Sequence, residues 1–103
     1  MFRSYSKKMI HHEKIKEVQD FLEGELSGKL ADFNYDAGQK AAVFTLRIEE
    51  YRVFVTVDDD FFADNKVDEI KKKLQEFRLK EFIRHGRSKR ITVTRFGLEL
   101  EDL

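Results

Sequence analysis

The strongest constraint on the fold is an alternation of apolar and polar side chains in two segments, 41–48 and 51–57, which only Glu49-Glu50 separates. This pattern is typical of strands that bury one face of a sheet. A two-residue turn at Glu49-Glu50 predicts an antiparallel hairpin in which every opposed pair lies on the same apolar face. Because Glu-Glu is poor chemistry for such a turn, a bulge or a longer loop is the alternative. The opposed pairs are Ile48 with Tyr51, Leu46 with Val53, Phe44 with Val55 and Ala42 with Val57.

Two further segments show the same alternation. Residues 30–36 precede the hairpin, and a four-residue loop at 37–40 sets Tyr35 opposite Ala42 and Phe33 opposite Phe44. The sequence therefore predicts a three-stranded meander. A last strand is predicted at 90–96, with Ile91 and Val93 on one of its faces.

The segment before the meander has helical periodicity. In residues 9–26 the side chains of Ile15, Val18 and Leu22 recur at steps of three and four, which gives one apolar stripe. The pair Ser27-Gly28 suits a C-terminal cap, because glycine readily adopts the left-handed conformation. We expect frayed ends at 1–8 and 98–103.

A second helix is predicted within 61–84, but its apolar pattern is irregular. The spacing of Val67, Ile70, Leu74 and Phe77 defines one stripe, whereas Leu79, Phe82 and Ile83 lie more than a quarter-turn away from it. Three explanations are open: the helix bends near Arg78, a second subunit covers the second stripe, or 79–84 is a strand that pairs with the last one.

These elements predict a single α+β domain over residues 1–103. The expected architecture is a two-layer sandwich, an antiparallel sheet with helices on one face, in the order α-β-β-β-α-β. The absence of cysteine excludes disulfides and thiolate metal ligands. No apolar run approaches the roughly 20 residues of a membrane span, and no secretory segment is evident, so we expect a cytoplasmic protein with no membrane partner.

No motif points to catalysis. Adjacent histidines in His11-His12-Glu13 would point about 100° apart on a helix and could not converge on one metal ion. The run Asp58-Asp59-Asp60 lacks the spacing of a calcium loop and suits the start of a helix. The five glycines are scattered, so there is no phosphate-binding loop. We therefore expect no catalytic residue, no metal site and no cofactor, and a protein that is more plausibly not an enzyme.

Charge is unevenly distributed along the chain, although the net charge is zero. Residues 13–64 carry 13 acidic and 6 basic side chains, and residues 65–95 carry 11 basic and 4 acidic ones. The basic segment 66–95 indicates nucleic-acid (RNA) binding as an alternative function, against which the pI near 6.8 weighs. The candidate nucleic-acid residues are Lys71, Lys72, Lys73, Arg87, Lys89 and Arg90.

The face of the sheet opposite the apolar one supplies the main functional hypothesis. The predicted register sets Arg47 opposite Arg52, which favours an anion or an acidic partner group unless Glu49 and Glu50 neutralise the pair. Exposed aromatic rings on this face suit base stacking or a protein interface. We therefore predict a non-catalytic protein-interaction or self-associating module, with a second copy as one candidate partner. The candidate partner-binding residues are Phe54, Phe96, Arg47, Arg52, Leu79, Phe82 and Ile83.

Overall fold

A computed structural model describes residues 2–26, 29–48, 51–85 and 89–102, and these ranges form an α+β fold. A long N-terminal helix precedes three strands, short helices follow, and two strands end the chain. In chain order the elements are α1 (Phe2–Leu26), β1 (Lys29–Asp36), β2 (Ala41–Ile48), β3 (Tyr51–Asp58), α2 (Asp59–Asp64), a 3₁₀ turn (Val67–Glu69), α3 (Ile70–Glu76), α4 (Leu79–His85), β4 (Lys89–Thr94) and β5 (Gly97–Asp102).

The sheet is mixed rather than antiparallel, which corrects the sequence-based prediction. Its spatial order is β1-β2-β3-β4-β5, and β3 pairs with β4 in parallel while the other neighbours are antiparallel. The physical reason is the crossover, because the chain passes through the short helices and returns beside β3 in the same direction. Alternation within a strand carries no information on that direction.

The predicted register of the meander is confirmed. Along β2 and β3, Phe44 is paired with Val55, Leu46 with Val53 and Ile48 with Tyr51, as expected. Between β1 and β2, Phe33 lies opposite Phe44, and their ring centroids are 5.0 Å apart. The register of β1 shifts between Leu30 and Asp32, so a bulge interrupts this edge strand.

The fifth strand is a second correction, since the sequence analysis expected frayed chain at 98–103. The hairpin between β4 and β5 turns at Arg95 and Phe96, where the last predicted strand was expected to continue. The hydroxyl of Thr94 donates to the carbonyl of Gly97 at 3.0 Å, and the N–H of Phe96 donates to Thr94 Oγ1 at 3.1 Å. Gly97 has φ of 133°, a conformation that favours glycine. The alternation of apolar and acidic residues in Leu98-Glu99-Leu100-Glu101 is the sequence signal that indicates this fifth strand.

The helical region after β3 consists of separate short pieces. The sequence favours Asp64 or Asn65 as the start of the second helix, because both residue types suit an N-cap. In the structure Asp64 is the last residue of α2 and Asn65 follows it, where Asn65 Nδ2 donates to the carbonyl of Phe61 at 2.8 Å. Between α3 and α4, Arg78 adopts a left-handed φ of 61°. The predicted bend near Arg78 is therefore confirmed, and the strand alternative for 79–84 is wrong because Leu79–His85 is helical.

The bend explains the second apolar stripe without a second subunit. It turns α4 so that Leu79 and Ile83 are fully buried in the core, whereas Phe82 stays 40% exposed. Leu79 and Ile83 were proposed as partner-binding residues, and their burial removes them from the surface.

Apart from Ala41, the buried apolar side chains of the described helices and strands form one cluster against one face of the sheet. The strands contribute the side chains that the alternation predicted, and every described helix adds at least one side chain. The largest fully buried members include Leu22, Phe44, Leu46, Val53, Phe61, Phe62, Ile70, Leu74, Leu79, Ile83 and Ile91.

Replacing Arg78 tests the helix break. A left-handed conformation costs a non-glycine residue roughly 1–2 kcal/mol, so Arg78→Gly should raise the free energy of unfolding, by about 0.5–1 kcal/mol after the backbone entropy of glycine is counted. The matched control is Arg84→Gly, the same substitution inside α4, which should lower stability by about 1 kcal/mol. Urea denaturation measures the unfolding free energy of both variants, which can be compared if the slope of that free energy against urea concentration is unchanged. Equal destabilisation by the two variants would contradict a left-handed Arg78.

Candidate functional site

The face of the sheet opposite the core carries the strongest candidate surface. We call it the open face, meaning the strand side chains that alternate with the core residues. The apolar helix residues that are buried all pack against the other face. The open-face residues that matter below are Val43, Thr45, Arg47, Arg52, Phe54, Thr56, Asp58, Arg90, Thr92 and Glu99.

The centre of the open face is closely packed and nearly uncharged. Thr56 lies between Val43 on β2 and Thr92 on β4, and it is only 6% exposed. Phe54 is half-buried beside Thr45. Uncharged, flat and laterally packed side chains of this kind resemble the inner face of a sheet more than a fully solvated one.

One end of the open face is basic. Arg47 and Arg52 are directly opposed, as the sequence predicted, and both are exposed. The parallel register places Arg90 beside Phe54, and at the same level Asp32 on β1 and Glu101 on β5 lie at the two edges of the sheet. Arg90 is paired with Glu101 at 3.6 Å, whereas neither Arg47 nor Arg52 forms an ion pair within the described ranges. Glu49 and Glu50, the proposed neutralising groups, lie outside those ranges.

The other end of the open face is acidic. Asp58 ends β3, and Glu99 lies opposite Thr92 on β5. Burial raises the pKa of Asp58 above its ordinary value, and the negative charges of Glu99, Asp60 and Asp59 raise it further. Asp36 ends β1 near the same corner, where it accepts N–H groups from Gly38 and Gln39. The structure thus concentrates like charges at this end.

Neither end holds a cluster of metal-ligating side chains in the part of the chain that the structure covers. Those residues contain no cluster of three or more His, Asp or Glu side chains arranged to hold a metal ion. His12 is exposed on α1, and the side chain of His11 is outside the described set. A shallow depression between α1 and the α3–α4 corner is lined by Phe21, Gln75, Lys80 and Glu81, which offers no convergent reactive groups.

A buried polar pair lies on the core side of the sheet. Tyr35 Oη donates to Asp59 Oδ2 at 2.6 Å, while Asp59 Oδ1 is buried without a described partner. Burial of the phenol, together with the hydrogen bond and the charges of Asp59 and Asp36, raises the pKa of Tyr35 to about 12. This contact ties β1 to the start of α2, and the sequence analysis did not find it because 24 residues separate its partners.

The remaining partner-binding candidates do not share the open face. Phe96 was expected on the sheet beside Phe54, but it lies at the tip of the β4–β5 hairpin, where it is 90% exposed. Arg95 pairs with Asp64 at 2.9 Å and holds this tip against α2. Phe82 lies on α4. Of the seven candidates, the open face brings together Phe54, Arg47 and Arg52.

The nucleic-acid candidates are divided between two sides of the molecule. Lys71, Lys72 and Lys73 lie on α3, where Lys71 is 4.0 Å from Glu17 and Lys73 is 3.5 Å from Glu76. Arg90 lies on the open face, opposite the helical layer. Only the backbone of Lys89 is described, in β4, and Arg87 is outside the described ranges. The structure therefore gives no single basic surface from these residues.

The chain was compared with protein-family models, with curated proteins and with solved structures, and none of the three comparisons found a match. Among the helices in the described ranges, none combines the length and apolar character needed to cross a membrane. The geometry of the open face is therefore the observation from which a function can be inferred.

The Tyr35–Asp59 contact predicts an alkaline titration. Because folding raises this pKa above about 10, its contribution to stability is present below pH 10 and is lost as the pH rises through about 12. Absorbance at 295 nm should show one of the three tyrosines ionising late, and Tyr35→Phe should remove that phase. Asp59→Asn, which keeps the shape but removes the charge, should shift it toward 10. An unchanged late phase in Tyr35→Phe would contradict the assignment.

Proposed function

We propose that this protein is a non-catalytic interaction module that self-associates through the open face of its sheet. In this proposal the fold is a two-layer sandwich with helices on one layer, and the second copy covers the other side of the sheet. The observation that carries the proposal is the half-buried Phe54 in an uncharged, closely packed centre, flanked by a basic and an acidic end.

The size of the open face sets the expected affinity. Five strands spaced by about 4.8 Å are about 19 Å wide, and the six-residue rise from Arg52 to Asp58 is about 20 Å. The flat area is therefore about 380 Å², below the roughly 800 Å² that each partner buries in a standard interface. We expect a weak dimer, with a dissociation constant of about 0.1–1 mM.

Phe54 is the side chain whose removal should weaken such a dimer most. Aromatic side chains near the centre of an interface carry a large share of the binding energy. Phe54→Ser should raise the dissociation constant about tenfold or more. Sedimentation equilibrium at loading concentrations up to about 1 mM measures it, a range set by the expected affinity.

Phe82→Ser is the matched control, because it is the same substitution at a half-exposed ring on α4. It should leave self-association unchanged, as should Phe96→Ser at the hairpin tip. Circular dichroism and the urea midpoint establish that each variant is folded. A wild-type protein that stays monomeric up to about 1 mM would refute the proposal. Dissociation by Phe82→Ser but not by Phe54→Ser would move the contact to α4.

The nucleic-acid alternative has less structural support than self-association. Its candidate residues face opposite sides of the domain, and two of the three lysines on α3 lie near carboxylates. A duplex or single strand bound to one side would contact only part of the set. Fluorescence anisotropy with RNA at about 50 and 200 mM salt would detect such binding, because phosphate contacts weaken steeply between these concentrations.

A further inference from the structure

The two charged ends of the open face determine how two copies can stack. Along β3, Arg52 at one end is six residues from Asp58 at the other, and the uncharged Phe54 and Thr56 lie between them. Arg47 reinforces the basic end from β2, and Asp36 reinforces the acidic end from β1, because the registers place it at the same level as Asp58. The open face is therefore polarised along the strand direction rather than across it.

Two sheets that stack face to face as a symmetric dimer are related by a two-fold axis that lies between them. An axis parallel to the strands would bring like ends together, so that Arg52 would face Arg52 and Asp58 would face Asp58. An axis perpendicular to the strands reverses the strand direction of the second copy. It sets Arg52 of one copy over Asp58 of the other, and Phe54 over Thr56.

We propose that the open face recognises a second copy of this chain in the reversed orientation, with the basic end of each copy on the acidic end of the other. This inference rests on the proposed self-association and specifies its geometry. By symmetry each contact between a basic and an acidic end occurs twice. Opposite charges in register favour association, whereas like charges at an interface oppose it.

The register of the strands supports this geometry at the centre as well. If β3 of one copy lies over β3 of the other, the half-buried Phe54 ring is set on the small Thr56 side chain. A large side chain opposite a small one is how stacked sheets interdigitate at a spacing of about 10 Å. Within the described ranges, Arg90 has an ion-pair partner, Glu101, whereas Arg47 and Arg52 have none, so these two are the residues assigned to the acidic end of the second copy.

Neutralising either end gives the decisive test, because the two orientations of the two-fold axis predict opposite changes in the dissociation constant. In the reversed orientation Arg47→Gln/Arg52→Gln should weaken self-association about tenfold, and Asp58→Asn should weaken it as well. The variant with all three changes should be no weaker than Arg47→Gln/Arg52→Gln, because the groups it neutralises face each other. With like ends together, each neutralisation would strengthen the dimer. Stronger or unchanged association in the neutralised variants therefore refutes the inference.

The matched control changes the same charge on the other side of the domain. Lys71→Gln/Lys72→Gln removes two positive charges from α3 and should leave the dissociation constant unchanged. The salt dependence of the wild-type dissociation constant provides a second test, because the two orientations predict opposite changes. Raising the salt concentration from about 50 to 500 mM should weaken the reversed dimer, since the Debye length shortens, and would strengthen a dimer with like ends together.

Charge reversal provides a rescue experiment that does not depend on loss of binding. Arg52→Glu places two negative charges at the contact between positions 52 and 58, and Asp58→Lys places two positive charges there. Each variant should be monomeric alone, and an equimolar mixture should form a heterodimer, because opposite charges then face each other at both copies of this contact.

The outcomes separate the two proposals. A wild-type protein that never dimerises refutes self-association itself. A wild-type dimer that Phe54→Ser dissociates, but whose affinity the neutralising variants raise or leave unchanged, keeps self-association and refutes the reversed orientation. A dimer that the neutralising variants weaken, and a mixture of the charge-reversed variants that associates, support both.

Discussion

Burial of one face of the central strands is the interaction on which the rest of this structure depends. The side chains of Phe44, Leu46, Val53 and Val55 are fully buried against the helices. At roughly 25 cal/mol per Å² of apolar surface, this burial is the main favourable term for a chain without disulfides. The helices cover that face alone, which leaves the centre of the opposite face packed only by its own neighbours.

The crossover from β3 to β4 adds to the polarity that Arg47, Arg52 and Asp58 already give the open face. Parallel pairing brings Arg90 beside Phe54, and the following hairpin brings Glu99 close enough to affect the pKa of Asp58. Neither neighbour is close in the chain. A fourth strand in the opposite direction would reverse the positions of Arg90 and Thr94 relative to Phe54, so the contribution of β4 to the basic end depends on the direction of return.

Much of the sheet could be predicted because its cause is local. Strand periodicity and short connections determined which residues of β1, β2 and β3 are opposed, including the Arg47–Arg52 pair. The candidate site was predicted in part: Phe54 lies on the open face, whereas Phe96 lies at a hairpin tip and Leu79 and Ile83 lie in the core. The irregular stripe was visible in the sequence, but its cause was not, because Arg78 carries no preference for the left-handed conformation it adopts.

Local sequence patterns are sufficient to predict the α+β class, the apolar face and the meander register, since alternation and loop length act between residues that are near in the chain. The complete fold is needed to define the parallel pairing, the fifth strand, the burial of the second stripe and the contact of Tyr35 with Asp59. These features depend on where the helices pack and in which direction the chain returns. Both are set by the fit of distant side chains into one core, which no local pattern records.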